Sequence, residues 1–215
     1  MSNISWLPNV DNLINYLDRN DNFEYNKFVE NSYNILLNDF FNQTTPVSFE
    51  GHRVLLESNK NLDCGKLKVQ DCRNGSFYDC SSCPFKNKFD IFNHICTNEY
   101  KKHPLKLKPG YKKNNRTPGE FSIARTLLVT WIKPLIMNSN DIANVDVKLS
   151  LEGGSKIWTI KLKTRNYSIV LTLPKNSQVI YLKTAYYTGN LKNCDYINNA
   201  IQTRRNATDG VSTTL

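Results

Sequence analysis

The chain holds three histidines, His52, His94 and His103. Histidine is the side chain suited to moving protons near neutral pH. The chemistry that asks least beyond proton transfer is cleavage of RNA. The 2′-hydroxyl attacks its own phosphate, so a general base, a general acid and a cation for the crowded phosphate suffice. Other chemistries lack their residues. There is no GxxxxGK[ST], no GxGxxG and no HExxH, and the carboxylates are scattered where a two-metal site needs them grouped.

The six cysteines raise a separate question. Five of them, Cys64, Cys72, Cys80, Cys83 and Cys96, fall between residues 64 and 96, and Cys194 stands apart. The pair in CSSC (80–83) has the two-residue gap that aims two thiolates at one ion. With Cys64 and Cys72 it would complete a structural zinc site, with Cys96 as the alternative ligand. Cys96 stands two residues from His94, so a metal there would also hold that histidine. Thiols in a long insert, with no metal, are the plainer reading.

The net charge of +9 over 215 residues favours an anionic partner, nucleic acid first. The charge concentrates in residues 101–119, KKHPLKLKPGYKKNNRTPG, with no acid among them. Lys101, Lys102, His103, Lys112, Lys113 and Arg116, together with Lys133 further on, are the expected RNA contacts. No apolar run reaches the roughly 18 residues of a membrane span. The first 20 residues lack the basic and apolar regions of an export signal, so a cytoplasmic protein with no membrane partner is expected.

These residues need elements to position them. Residues 8–20 and 23–42 carry apolar positions at helical spacing and predict a helical hairpin, an N-terminal segment over 1–44. PVSFEGHRVLLES (46–58) reads as one strand. Asn74-Gly75 marks a hairpin turn in the cysteine-rich insert, 60–100. FDIFNHICTNEY (89–100) fits either a strand or a short helix. EFSIARTLLVTWIKPLI (120–136) reads as a helix broken near Pro134. Four strands follow, 144–151, 156–163, 167–173 and 178–187, with hairpin-sized connections. A helix over 191–205 and a loose tail, 207–215, close the chain. The expected fold is α+β, with a four-stranded antiparallel sheet packed on a helix within a domain spanning 45–206. In YLKTAYYTG (181–189), strict alternation puts Ile180, Leu182, Thr184 and Tyr186 on one face and Val179, Tyr181, Lys183, Ala185 and Tyr187 on the other.

Three stretches carry a resemblance: FNHI (92–95), RTPGEFSIARTLLVTWIKPLI (116–136) and YSIVLTLPKNSQVIYLKTAYYTG (167–189). In this order they resemble a phage-associated branch of the barnase/EndoU/colicin/RelE-like (BECR) nucleases, and SFEGHRVLL resembles that branch's first strand. The resemblance covers residues 46–190. It implies a metal-independent endoribonuclease leaving a 2′,3′-cyclic phosphate, acting on tRNA or mRNA as a toxin or as a phage or defence effector, with no cofactor for catalysis. His94 matches the motif histidine, a general acid or base. Arg125 matches the phosphate-holding arginine. Thr184, with Tyr186 and Lys183 beside it, falls in the Thr-Ala-Tyr strand. The pattern also implies an arginine where this chain has Leu128. The N-terminal helices would then bind an antitoxin or another partner protein. Two bland readings weigh against these roles: His94 as a satisfied core histidine between Phe92 and Ile95, and Trp131 as core rather than a stacking platform. Two other functions fit the same residues, a non-catalytic RNA-binding module and a zinc-stabilised interaction domain.

Overall fold

The computed structural model describes residues 4–8, 25–41, 44–57, 68–70, 77–79, 88–98, 120–121 and 123–187. Four helices lie among them: α1 (Tyr25–Phe41), α2 (Asp90–Cys96), α3 (Ile123–Leu127) and α4 (Ile132–Met137). The strands are β1 (Ser48–Phe49), β2 (His52–Leu56), β3 (Lys68–Gln70), β4 (Phe77–Asp79), β5 (Thr97–Asn98), β6 (Glu120–Phe121), β7 (Val145–Glu152), β8 (Ser155–Leu162), β9 (Tyr167–Leu173) and β10 (Val179–Tyr187).

The fold is α+β, with a larger sheet than alternation alone implies. β7 to β10 form the expected antiparallel meander, but they are part of a six-stranded mixed sheet ordered β1-β2-β10-β9-β8-β7. β2 joins parallel to β10, with Arg53 opposite Val179 and Leu56 opposite Leu182. The single strand expected over 46–58 is in fact two. Phe49 pairs with His52 across Glu50 and Gly51, both at positive φ (51° and 74°). Two such residues make the type I′ turn whose twist matches a hairpin. The β7–β8 turn repeats the device with Gly153 and Gly154. In the cysteine-rich insert β3 and β4 pair antiparallel, Gln70 opposite Phe77, while Asn74-Gly75 itself lies outside the described residues.

The helix expected over 120–136 is divided. α3 runs into a tight 3-10 turn, Leu128–Trp131, before α4 resumes. Pro134 sits in the first turn of α4, where the missing N–H is tolerated, so the irregularity lies upstream of it. The predicted hairpin's second helix is α1. Its partner (8–20), the helix over 191–205 and the tail lie outside the described residues. The inner face of α1 is not spare surface. Phe28, Val29, Leu36 and Phe40 share one hydrophobic core with Val54, Ile160, Ile169, Leu171 and Leu182 of the sheet. Residues 4–8 are tied to the same body. Ile4 is buried, the Trp6 indole donates to Asp141 at 2.9 Å, and the Trp131 indole donates to the Pro8 carbonyl at 3.0 Å.

Candidate functional site

α1 sets the position of α2. The Tyr33 ring lies 5.0 Å from that of Phe92, and its hydroxyl accepts the Phe89 N–H at 3.3 Å. Lys88, just before α2, is paired with Glu30 of α1 and stands 4.9 Å over the Tyr33 ring. Held in this way, α2 buries Ile91, Phe92, Asn93, Ile95 and Cys96. His94 is the exposed residue among them. The core reading of His94 is therefore wrong: the ambiguous stretch is a helix, and a helix sends position 94 away from the face that holds 91, 92 and 95.

α2 packs against both α3 and β10. Beneath it lies a buried group of polar side chains. Cys96 shares a hydrogen bond with the buried Thr126, and Arg125 and Tyr167 are its charged and titratable neighbours. Burial pushes the Cys96 thiol up, against the downward pull of Thr126 and the Arg125 guanidinium. Burial likewise raises the Tyr167 phenol. Arg125 is half-buried with its Nε enclosed. Burial lowers its pKa, while Cys96 and Tyr167 act to raise it. Tyr167 donates to the Leu128 carbonyl at 3.0 Å and meets Trp131 edge-on at 5.7 Å. Trp131 is thus a core residue. Leu128, where the resemblance implies an arginine, is fully buried in the same core.

β10 changes character along its length. Val179 to Leu182 pair with β2, and Tyr181 and Leu182 pair with β9 as well, but β2 ends at Leu56, opposite Leu182. At that point the β9 register slips: Leu182 faces Leu171, whereas Thr184 faces Val170. Lys183 is the extra residue of a β-bulge, and a bulge re-aims everything after it. Leu182 is buried, Lys183 exposed, Thr184 half-buried and Ala185 buried. Strict alternation fails here. Ala185 and Tyr187 continue the helix-covered face of Ile180 and Leu182, while Thr184 and Tyr186 turn to the opposite face, with Val170 and Ser168. Arg125 neighbours Tyr167, which pairs with Tyr187 on the helix-covered face. The sheet therefore separates Thr184 from Arg125, and one phosphate does not contact both through it.

The other proposed contacts fare differently. Lys133 forms an ion pair with Asp39 of α1 at 3.6 Å, each about a quarter exposed, so its charge is engaged within the fold. His52 is fixed by the Gln178 carbonyl at 3.1 Å, which ties β2 to the turn before β10. Lys101, Lys102, His103, Lys112, Lys113 and Arg116 lie outside the described residues, as do Cys64, Cys72, Cys80 and Cys83. Among the described residues no group of three or more His, Cys, Asp or Glu side chains converges as metal ligands do. Cys96 and His94 do not share an ion: at i and i+2 on a helix they face different ways, one buried and one exposed.

No protein-family model, curated protein or solved structure matches the chain. The site therefore stands on its own geometry. No described helix is long and apolar enough to cross a membrane. The bulge at Lys183 was the feature sequence reasoning missed. Its signal was present: the apolar positions 180, 182, 185 and 187 step by two, then three, then two.

Proposed function

We propose that the protein is a metal-independent endoribonuclease whose reacting histidine is His94. One observation carries the reading. The helix that presents His94 to solvent rests against the strand that bulges at Lys183 and against the helix that carries Arg125. A proton-transfer group on a rigid element, with cations on both packed neighbours, supplies one acid–base group and the positive charge that transesterification of RNA uses, and water supplies or takes the other proton. His94 takes the 2′-hydroxyl proton or returns one to the leaving 5′-oxygen. Lys183, exposed at the bulge, is the cation assigned to the phosphate. Arg125, enclosed beside Cys96 and Tyr167, acts on the site through α2. The products are a 2′,3′-cyclic phosphate and a 5′-hydroxyl. A net charge of +9 favours RNA as the partner, with tRNA or mRNA as the class and a toxin or phage-defence role as the setting. The spacing of the insert cysteines adds a structural zinc to this reading, and the resemblance adds a protein partner for the N-terminal helices.

The test is incubation of purified protein with total RNA in chelator, followed by mapping of the product ends. His94→Ala should abolish cleavage while circular dichroism and RNA binding stay unchanged. Full cleavage by that variant refutes the assignment. A second reading has its own observation. Leu128 places a buried apolar residue where the resemblance expects an arginine, so one cation of the pattern is gone. If the chain shifts RNA but leaves it intact, it is a binding module of this fold.

A further inference from the structure

β7 is the outer strand of the sheet, and β8 is its one strand neighbour among the described residues. Their register runs unbroken from Val145 opposite Leu162 to Glu152 opposite Ser155. Val145, Val147 and Leu149 pair with Leu162, Ile160 and Trp158, core residues on the helix-covered side, and Leu151 continues the same face. The helical layer does not reach along it. Val145 is buried, but Val147 is 39% exposed, Leu149 55% and Leu151 71%. Natural edge strands are usually blunted by proline, a bulge or a charge on the inward face. β7, VDVKLSLE, has none of these. Its other face reads Asp146, Lys148, Ser150, Glu152.

We infer that β7 is where two copies of this chain pair edge to edge, antiparallel about a two-fold axis at Ser150, making one continuous sheet across a dimer. The charge pattern selects both the occupant and the register. Directly paired residues share a face, so only residues of like parity meet. An axis at Leu149 sets Asp146 against Glu152 of the other copy, and an axis at Lys148 sets two lysines together. Like charges directly opposite are unfavourable. An axis at Val147 matches Asp146 with Lys148 but puts Leu151, the most exposed apolar residue of the strand, opposite Ala143, which precedes it. An axis at Ser150 places Lys148 opposite Glu152 twice and Leu149 opposite Leu151 twice. Residues 148–152 are complementary to themselves in charge and in apolar content at this register, with the less exposed Val147 opposite Gly153 of the turn.

Light scattering after size exclusion, over about 1–200 µM, should show a concentration-dependent dimer, in the range expected of a modest interface. Each single reversal, Lys148→Glu or Glu152→Lys, turns both charged pairs repulsive and should weaken dimerisation by about tenfold. The double reversal should restore it. Ser150→Cys should form a disulfide-linked dimer under mild oxidation that the unsubstituted chain does not form. All these side chains are exposed, and circular dichroism checks that each variant is folded. A folded chain that stays monomeric throughout overturns the inference. So does a dimer indifferent to Glu152→Lys, or one that the double reversal fails to restore.

Discussion

Replacing Cys96 with alanine should change how stability depends on pH. The thiol is fully buried, and burial raises its pKa well above the ordinary value of 9.0. A group whose folded pKa is raised lends stability that is fully present below the unfolded value and lost as pH climbs above it. In the unfolded chain the thiol ionises from about pH 9, while in the folded chain it stays protonated. Each pH unit beyond the unfolded value then costs about 1.4 kcal/mol. At pH 10.5 that amounts to about 2 kcal/mol, a sizeable share of a typical total of about 5–15 kcal/mol. Cys96→Ala removes this term and adds a pH-independent loss of about 1 kcal/mol for the missing sulfur. Urea denaturation of both chains from pH 7 to 10.5 measures it. The stability curves should converge and then cross as pH rises, since every other titrating group is common to both. Parallel curves would refute the reasoning and show that the Arg125 charge and the Thr126 hydrogen bond offset burial completely.

Tyr167→Phe keeps the ring against Trp131 but deletes the bond to the Leu128 carbonyl. It should cost about 1–2 kcal/mol by chemical denaturation, where Tyr167→Ala should cost about 3–5 kcal/mol. Glu50→Asn relieves a glutamate at φ 51° in the β1–β2 turn and should raise stability by about 0.5–1 kcal/mol in thermal melts. Deleting Lys183 leaves each β9 pairing available with strict alternation. It should keep the fold within about 1 kcal/mol while lowering RNA cleavage by more than tenfold if the bulge aims the site. Cleavage that survives the deletion removes Lys183 from the site.

The meander was legible because period-two patterns and hairpin turns are local signals. Val145–Glu152 through Val179–Tyr187 match the expected spans within a residue or two. The parallel seam between β2 and β10 was not legible, because nothing in HRVLL states that its partner lies at the far end of the domain. The β1–β2 turn hid in a single Glu-Gly pair. His94 lay in a seven-residue element too short for periodicity to separate helix from strand. Strict alternation puts Thr184 on the wrong face because one extra residue reverses every side chain beyond it, and the only mark of the slip is the three-residue step between Leu182 and Ala185.

The seam between β2 and β10 also governs when the protein can become itself. Arg53 is synthesised long before Val179, the residue it pairs with, and the α2, α3 and α4 segments all emerge between them. Until β10 arrives, β2 with its β1 hairpin has no place in the sheet, and Val54 and Leu56 have no core to enter. Such distant pairing slows folding and prolongs the exposure of apolar strands. The same strand carries Lys183, the cation of the proposed site. An incomplete chain on the ribosome therefore lacks the strand that both joins β2 to the meander and carries Lys183. The architecture defers assembly of the six-stranded sheet until synthesis has passed β10.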